Sequence, residues 1–154
     1  MPITMKDVRT WLDAEEVDYN KAKALGSAAL PFLMELVQGG DLGLASKATY
    51  LASMIRSQKS AAVLEKAAAR NEPVVRVAAA SAIRNLSEVP AGRLVDLLKD
   101  DPDAGIRKVM LKSAERLRSP KLAAKLQKIA DKDPEPFVRE LAASTVMKMR
   151  QKKK

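Results

Sequence analysis

The 154-residue chain contains neither cysteine nor histidine. Without them it cannot form a disulfide, a thiol nucleophile, a Ser–His–Asp triad or the usual zinc sites. The six glycines are scattered along the chain and build no phosphate-binding loop. The sequence therefore predicts no catalytic residue, no metal ligand and no cofactor, and we expect a protein that is not an enzyme.

Aromatic residues and long apolar runs are also scarce. Only 3 % of the residues are aromatic. No window approaches the 18 uninterrupted apolar residues of a membrane span. The first ten residues, MPITMKDVRT, carry charges where a secretion signal needs its apolar stretch. We therefore expect a cytoplasmic protein with no membrane partner.

Alanine is the most frequent residue, and strands have no sequence signature here. Alanine is the best helix former and lets helices approach closely. Runs of β-branched residues with period two, which would indicate strands, are absent. The composition predicts an all-α protein.

An internal repeat organises most of the chain. Four segments align on their seventh residue, and these reference positions lie 31, 31 and 32 residues apart. The segments are GGDLGLASKATYLASMI from Gly39, RNEPVVRVAAASAIRNL from Arg70, DPDAGIRKVMLKSAERL from Asp101 and DPEPFVRELAASTVMKM from Asp133, with Ala45, Arg76, Arg107 and Arg139 as reference residues. Constant spacing of this kind predicts a stack of similar helical units.

The repeats show a common order of signals, from which the first departs because it has no proline at its start and has Ala45 in place of Arg. In the other three, acidic residues and a proline (Pro73, Pro102 or Pro134) come first, where Asp can cap a helix and Pro fits its first turn. An apolar helical stripe follows. A shorter amphipathic stretch precedes each segment, and these stretches are Ala29–Val37, Ala61–Ala69, Gly92–Asp100 and Leu122–Ala130, with Pro90 and Pro120 expected in the turns between units. Each repeat is predicted to consist of two helices joined by a tight turn.

This pattern resembles HEAT repeats in the short form that is also found in phycobilisome-lyase-like proteins. The resemblance implies a right-handed α-α superhelix of four helix pairs, with repeats at about 27–57, 58–88, 89–119 and 120–150. It also implies that Arg76, Arg107 and Arg139 pair with the Asp of a neighbouring turn, for which Asp101 and Asp133 are candidates. We expect a single domain overall.

Residues 1–26 do not align with the repeats and are predicted to form an N-terminal helical cap. Thr4 and Asp7 resemble a capping box ahead of Val8, Trp11 and Leu12. A second stretch starts at Tyr19. Trp11 is expected in the core, with a stacking platform for a ring as the alternative.

Two clusters of carboxylate residues could either bind a cation or cap a helix. They contain Asp100, Asp101 and Asp103 in one case and Asp131, Asp133 and Glu135 in the other. Such clusters could hold a divalent cation. Each lies at the start of a helix beside a proline, where negative charge satisfies backbone donors, so we favour helix capping.

The net charge of +9 is unevenly distributed. Residues 1–77 have 10 Lys and Arg against 9 Asp and Glu, and residues 78–154 have 18 against 10, which is a net charge of +8. Lysines at intervals of four, three and four share one helix face, a second set repeats every four residues, and residues 151–154 form a basic tail. The candidate polyanion contacts are Lys108, Lys112, Arg116, Lys121, Lys125, Lys128, Lys132, Lys148 and Arg150. The alternative is a solvated face that only keeps the protein soluble.

Two functions follow as hypotheses. The first is a non-catalytic scaffold that binds a protein or peptide, since repeat proteins expose extended binding surfaces. The second is nucleic-acid binding through phosphates on the basic half. The resemblance adds a third, handling of a bilin chromophore.

Overall fold

The computed structural model describes residues 2–151, and within them every regular element is helical. The all-α prediction is confirmed, because no strand occurs in this range. The ten α-helices are α1 (Met5–Leu12), α2 (Tyr19–Ala22), α3 (Leu30–Gln38), α4 (Leu42–Ser53), α5 (Ser60–Ala68), α6 (Pro73–Ala82), α7 (Glu88–Leu98), α8 (Ala104–Ala114), α9 (Pro120–Lys132) and α10 (Pro136–Gln151). Short 3₁₀ segments cover Lys23–Leu25, Ser27–Ala29 and Ile83–Asn85.

The chain divides into two compact units between Ala79 and Ala80. We call them the first and the second unit. The division coincides with the change in charge between residues 1–77 and 78–154. Residues 78 and 79 are alanines and carry no charge, so residues 80–154 have the same net charge as residues 78–154. The second unit therefore contains the whole excess of +8.

Helix α1 of the first unit starts at a capping box. The Thr4 hydroxyl accepts a hydrogen bond from the backbone N–H of Asp7 (3.3 Å), and the Asp7 carboxylate accepts one from the N–H of Thr4 (2.8 Å). Two of the unpaired donors at the start of the helix are thereby satisfied. Val8 and Leu12 are fully buried, whereas Trp11 is half-buried at the edge of the core.

Helices α3, α4 and α5 pack on one another, and α1 contacts α3 and α4. Leu33, Leu51 and Leu64, one from each of these three helices, have no exposed surface. Burying a side chain of this size contributes roughly 1.5–3 kcal/mol. The apolar stripes predicted from the sequence therefore form the core of the first unit.

Four helices of the second unit form a closed ring of contacts. Helix α7 packs on α8 and α9, and α10 packs on α8 and α9. Helices α8 and α9 consequently lie diagonally across the group. Leu94, Met110 and Leu126 fill the interior.

Helix α7 starts earlier than the sequence suggested. We expected a turn at Pro90 and a helix from Gly92, but α7 begins at Glu88 and both residues lie within it. Proline is tolerated in a first turn because its missing N–H would have no partner there. A Cβ on Gly92 would lie 3.3 Å from Cε of Lys125 on α9, so the lysine side chain passes close to the backbone of α7 at this point.

The Asp-Pro pairs lie outside the helices that they were expected to start. Helix α8 begins at Ala104 with Asp103 as its cap, so Asp101 and Pro102 precede it. Helix α10 begins at Pro136, after Asp133 and Pro134. Of the three prolines that the repeat pattern placed at helix starts, only Pro73 occupies the first position of its helix, α6, whereas α9 and α10 begin at two other prolines, Pro120 and Pro136.

None of the helices within residues 2–151 combines the length and the apolar character that crossing a bilayer requires.

Candidate anion-binding surface

The three reference arginines make the same backbone contact. In each, Nη1 donates to the carbonyl oxygen six residues earlier. The pairs are Arg76 with Arg70 (3.0 Å), Arg107 with Asp101 (2.7 Å) and Arg139 with Asp133 (2.6 Å). A guanidinium folded back on the preceding turn satisfies a carbonyl that no helix uses. This recurring bond was not predicted from the sequence, because backbone acceptors leave no mark in side-chain patterns.

Arg107 also pairs with a carboxylate. Its Nε and Nη2 donate to the two carboxylate oxygens of Asp133, at 2.8 and 3.1 Å. This is the pair of an arginine with the Asp of a neighbouring turn that the resemblance implied. Both side chains are nearly buried, and the guanidinium nitrogens of Arg107 are used in this ion pair and in the bond to Asp101. Arg107 is therefore not available to bind a ligand.

The carboxylate clusters organise their own turns. Asp101 accepts from the N–H of Asp103, Asp103 from the N–H of Gly105, and Asp133 from the N–H of Glu135, all at 2.8–2.9 Å. Such bonds shape the turn ahead of a helix. Among residues 2–151 no three carboxylates come together in a way that would hold a metal ion.

Helix α9 carries four lysines on one side, as expected. Lys121, Lys128 and Lys132 are exposed and have no ion-pair partner among the described residues. The opposite side is buried through Leu122, Leu126 and Ile129. Three unpaired ammonium groups along one helix produce a positive ridge, which we call the α9 ridge (Lys121, Lys128 and Lys132).

Lys125 does not belong to this ridge. Its Nζ lies 2.9 Å from both carboxylate oxygens of Asp96 on α7, and the side chain is only partly exposed. Its aliphatic stem passes close to Gly92, where no side chain blocks it. The expectation of four equivalent lysines is wrong at this position, because a neighbouring helix supplies a carboxylate that the sequence pattern does not reveal.

The second basic set is shorter than expected. Lys108 and Lys112 are exposed on α8, but the helix ends at Ala114 and Arg116 lies in the following turn. The Nζ of Lys108 lies 5.5 Å from the ring centroid of Phe137, which is a cation–π arrangement. This set lies on a different helix from the α9 ridge.

The remaining candidates lie near the end of α10. Nζ of Lys148 forms an ion pair with Glu115 at 3.2 Å. Arg150 and Arg118 line a concavity of about 250 Å³ whose floor includes Ala123 and Met149. We call it the arginine pocket. Lys152, Lys153 and Lys154 of the predicted basic tail lie outside the described residues.

Arg118 was missed by sequence reasoning. It lies in the turn between α8 and α9, where no helical periodicity marks it as part of a set. Neither Arg118 nor Arg150 has an ion-pair or hydrogen-bond partner among residues 2–151, and both are exposed. Their guanidinium groups are therefore available for a carboxylate or phosphate, which arginine binds through two parallel hydrogen bonds.

No protein-family model, curated protein or solved structure matches this chain.

Proposed function

We propose that this protein is a non-catalytic interaction module built from HEAT-like helical repeats, and that its second unit binds an acidic segment of a partner protein. The observation that carries the proposal is the set of unpaired cations on one unit. The α9 ridge contributes three and the arginine pocket two, and none of these five forms an ion pair within residues 2–151.

The repeat part of the proposal rests on geometry that recurs with the sequence period. Arg76, Arg107 and Arg139 are 31 and 32 residues apart and each makes the same bond to the carbonyl six residues back. In HEAT-like proteins, repeats related in this way stack into a right-handed superhelix. We propose that arrangement for the four helix pairs.

The environment of the cations favours a peptide over a nucleic acid. Ala123 and Met149 line the same concavity as Arg118 and Arg150, and this apolar part of the lining suits the aliphatic stem of a Glu side chain. Phe137 is the only aromatic residue of the second unit, and Lys108 covers a face of its ring. That face is therefore not free for the base stacking on which single-stranded nucleic-acid binding depends.

The test is fluorescence anisotropy with a labelled peptide of alternating Glu and Leu. We expect binding by the wild-type protein and no binding of the same peptide with Gln for Glu. The variant Lys121→Gln/Lys128→Gln/Lys132→Gln should bind about tenfold more weakly, since three exposed ion pairs contribute about 0.5 kcal/mol each.

A matched control removes three charges from the first unit. Lys6→Gln/Lys23→Gln/Lys59→Gln changes the net charge equally, and all three lysines are exposed. It should leave the affinity for the Glu peptide within twofold of wild type. Equal weakening by the two triple variants would show that only overall charge matters and would refute a specific surface.

Sequence-independent nucleic-acid binding is the second candidate, and the α9 ridge is the observation that favours it. Its three lysines face solvent and form no ion pair within the part of the chain that the structure describes. A duplex bound only through phosphates should show a Kd of about 10⁻⁴–10⁻⁶ M at physiological salt and a steep loss of affinity as salt rises. A labelled duplex that binds more tightly than the Glu peptide would replace the first proposal with this one.

A further inference from the structure

The first unit contains an open cleft of about 640 Å³ that the basic surface does not involve. Two tyrosines from distant parts of the sequence meet in it, Tyr19 at the start of α2 and Tyr50 on α4. Their ring centroids are 4.9 Å apart and the ring planes cross at 62°. An edge-to-face pair of this kind fixes the orientation of both rings.

The rest of the lining combines acidic and apolar residues with one amide, Asn20. Glu16 and Asp18 contribute carboxylates, and Met54 and Val17 contribute apolar surface. The Asp18 carboxylate caps α2 by accepting from the N–H of Lys21 (3.1 Å). Glu16 is exposed and has no ion-pair partner among residues 2–151. Its charge is therefore available to a ligand.

The turn that carries Glu16 is fixed to the core of the unit. Nζ of Lys47 on α4 donates to the carbonyl oxygens of Leu12 and Ala14, at 3.0 and 3.1 Å. These bonds tie the end of α1 and the acidic turn to the same helix that supplies Tyr50. The ammonium of Lys47 is occupied by two carbonyls that would otherwise lack a donor.

Tyr19 remains neutral under ordinary conditions. Burial, and then the neighbouring Tyr50, raise the pKa of Tyr19 above its usual value of 10.0. Neutral phenol rings have electron-rich faces, which attract cations, and an aromatic pair beside a carboxylate is an arrangement that binds alkylammonium ions.

We propose that this cleft binds an alkylammonium group, namely the side-chain ammonium of lysine or its methylated forms, through the rings of Tyr19 and Tyr50 and the carboxylate of Glu16. The proposal is independent of the proposed anion-binding function, because the cleft lies wholly within residues 16–54. A single side chain bound by exposed contacts should have a Kd of about 1 mM.

The experiment is an NMR titration of the full chain with a short trimethyllysine peptide. Matched peptides carry lysine or the uncharged isostere of trimethyllysine, which has a tert-butyl group. We expect the resonances of Tyr19, Tyr50 and Glu16 to shift with both charged peptides and not with the neutral one. Choline serves as a free ammonium ion, and weaker binding of choline than of the trimethyllysine peptide would identify a peptide as the source.

Two variants assign the contacts. Tyr50→Leu keeps an apolar side chain but removes the ring, and Glu16→Gln removes the charge. Tyr50→Leu should weaken binding of the trimethyllysine peptide at least fivefold, and Glu16→Gln about twofold, because Glu16 supplies one exposed charge. Glu35→Gln, at an exposed carboxylate away from the cleft, should leave binding unchanged.

Three results would overturn the proposal. They are no shift at 10 mM peptide, equal binding of the neutral isostere, and equal weakening by Glu35→Gln and Glu16→Gln. If Tyr50→Leu fails to fold, Glu16→Gln decides alone, because its side chain is exposed and contributes nothing to the core.

Discussion

Arg107 and Asp133 form a bidentate ion pair in which the two side chains are only 7 % and 2 % exposed. The third guanidinium nitrogen, Nη1, binds the carbonyl of Asp101. Helix α8 is thereby fixed both to the turn before it and to the turn before α10. A buried charge of this kind is tolerated because every charged atom has a partner.

The first prediction removes one member of this pair. Arg107→Met leaves the buried Asp133 carboxylate without its cation, so we expect a loss of about 3 kcal/mol in the free energy of unfolding. Urea denaturation measures it. Arg116→Met, at an exposed arginine in the next turn, should change the same free energy by less than about 0.5 kcal/mol. Equal effects would mean that the ion pair contributes nothing to stability.

The second prediction concerns the register of α8 and α10. Ile106→Asp places a charge in a site that is 2 % exposed, and it should lower the unfolding free energy by about 3 kcal/mol or more. Leu141 on α10 is half-buried, so Leu141→Asp should cost clearly less. Lys128→Asp, at an exposed site, is the control. A thermal melt in which Leu141→Asp lowers the Tm more than Ile106→Asp does would contradict the structure.

The third prediction is a stabilising substitution. The hydroxyl of Thr145 on α10 is buried and has no hydrogen-bond partner within the described residues. Thr145→Val replaces it with a methyl group of similar shape, which removes the cost of desolvating the hydroxyl. We expect a gain of about 1 kcal/mol in unfolding free energy by urea denaturation. A loss of stability would show that the hydroxyl has a partner after all.

The fourth prediction concerns pH. A hydrogen bond from Arg70 (2.8 Å) lowers the pKa of the Glu72 carboxyl below its usual value of 4.5. Because the folded-state pKa is the lower one, the carboxylate stabilises the protein above pH 4.5, and this contribution is lost as pH falls through the folded-state pKa. The stability difference between wild type and Glu72→Gln should therefore be present at pH 6 and disappear at low pH. A difference that stays constant from pH 6 to pH 3 would contradict this account, and Glu35→Gln controls for the loss of one charge.

The positions of the helices could be predicted from the sequence, because the apolar residues that repeat along each helix are the ones that are buried. Leu44, Val75, Ile106 and Val138, each next to a reference position, are all buried. The positions of helix starts were less accurate. Asp101 and Asp133 resemble N-caps in the sequence, yet each accepts from the N–H two residues later, in a turn ahead of the helix. The carbonyls of Asp103 and Glu135 accept the first bonds from helical N–H groups, and they show where α8 and α10 begin.

The candidate sites were harder to predict, because they depend on contacts between helices. Lys125 resembles the other α9 lysines by spacing, but Asp96 on α7 reaches it only in the folded chain. Tyr19 and Tyr50 belong to different sequence segments, and nothing in either segment indicates that their rings meet.

The most direct test of the central claim is an NMR titration of the full chain with the Glu and Leu peptide, followed residue by residue. We predict that the largest chemical-shift changes fall on α9, on Arg118 and on residues 149–150, and that residues 2–79 change little. The arginine pocket variant Arg118→Gln/Arg150→Gln should reduce the changes at Ala123 and Met149. Changes spread equally over both units, or concentrated within residues 2–79, would contradict the claim that the second unit provides an anion-binding surface.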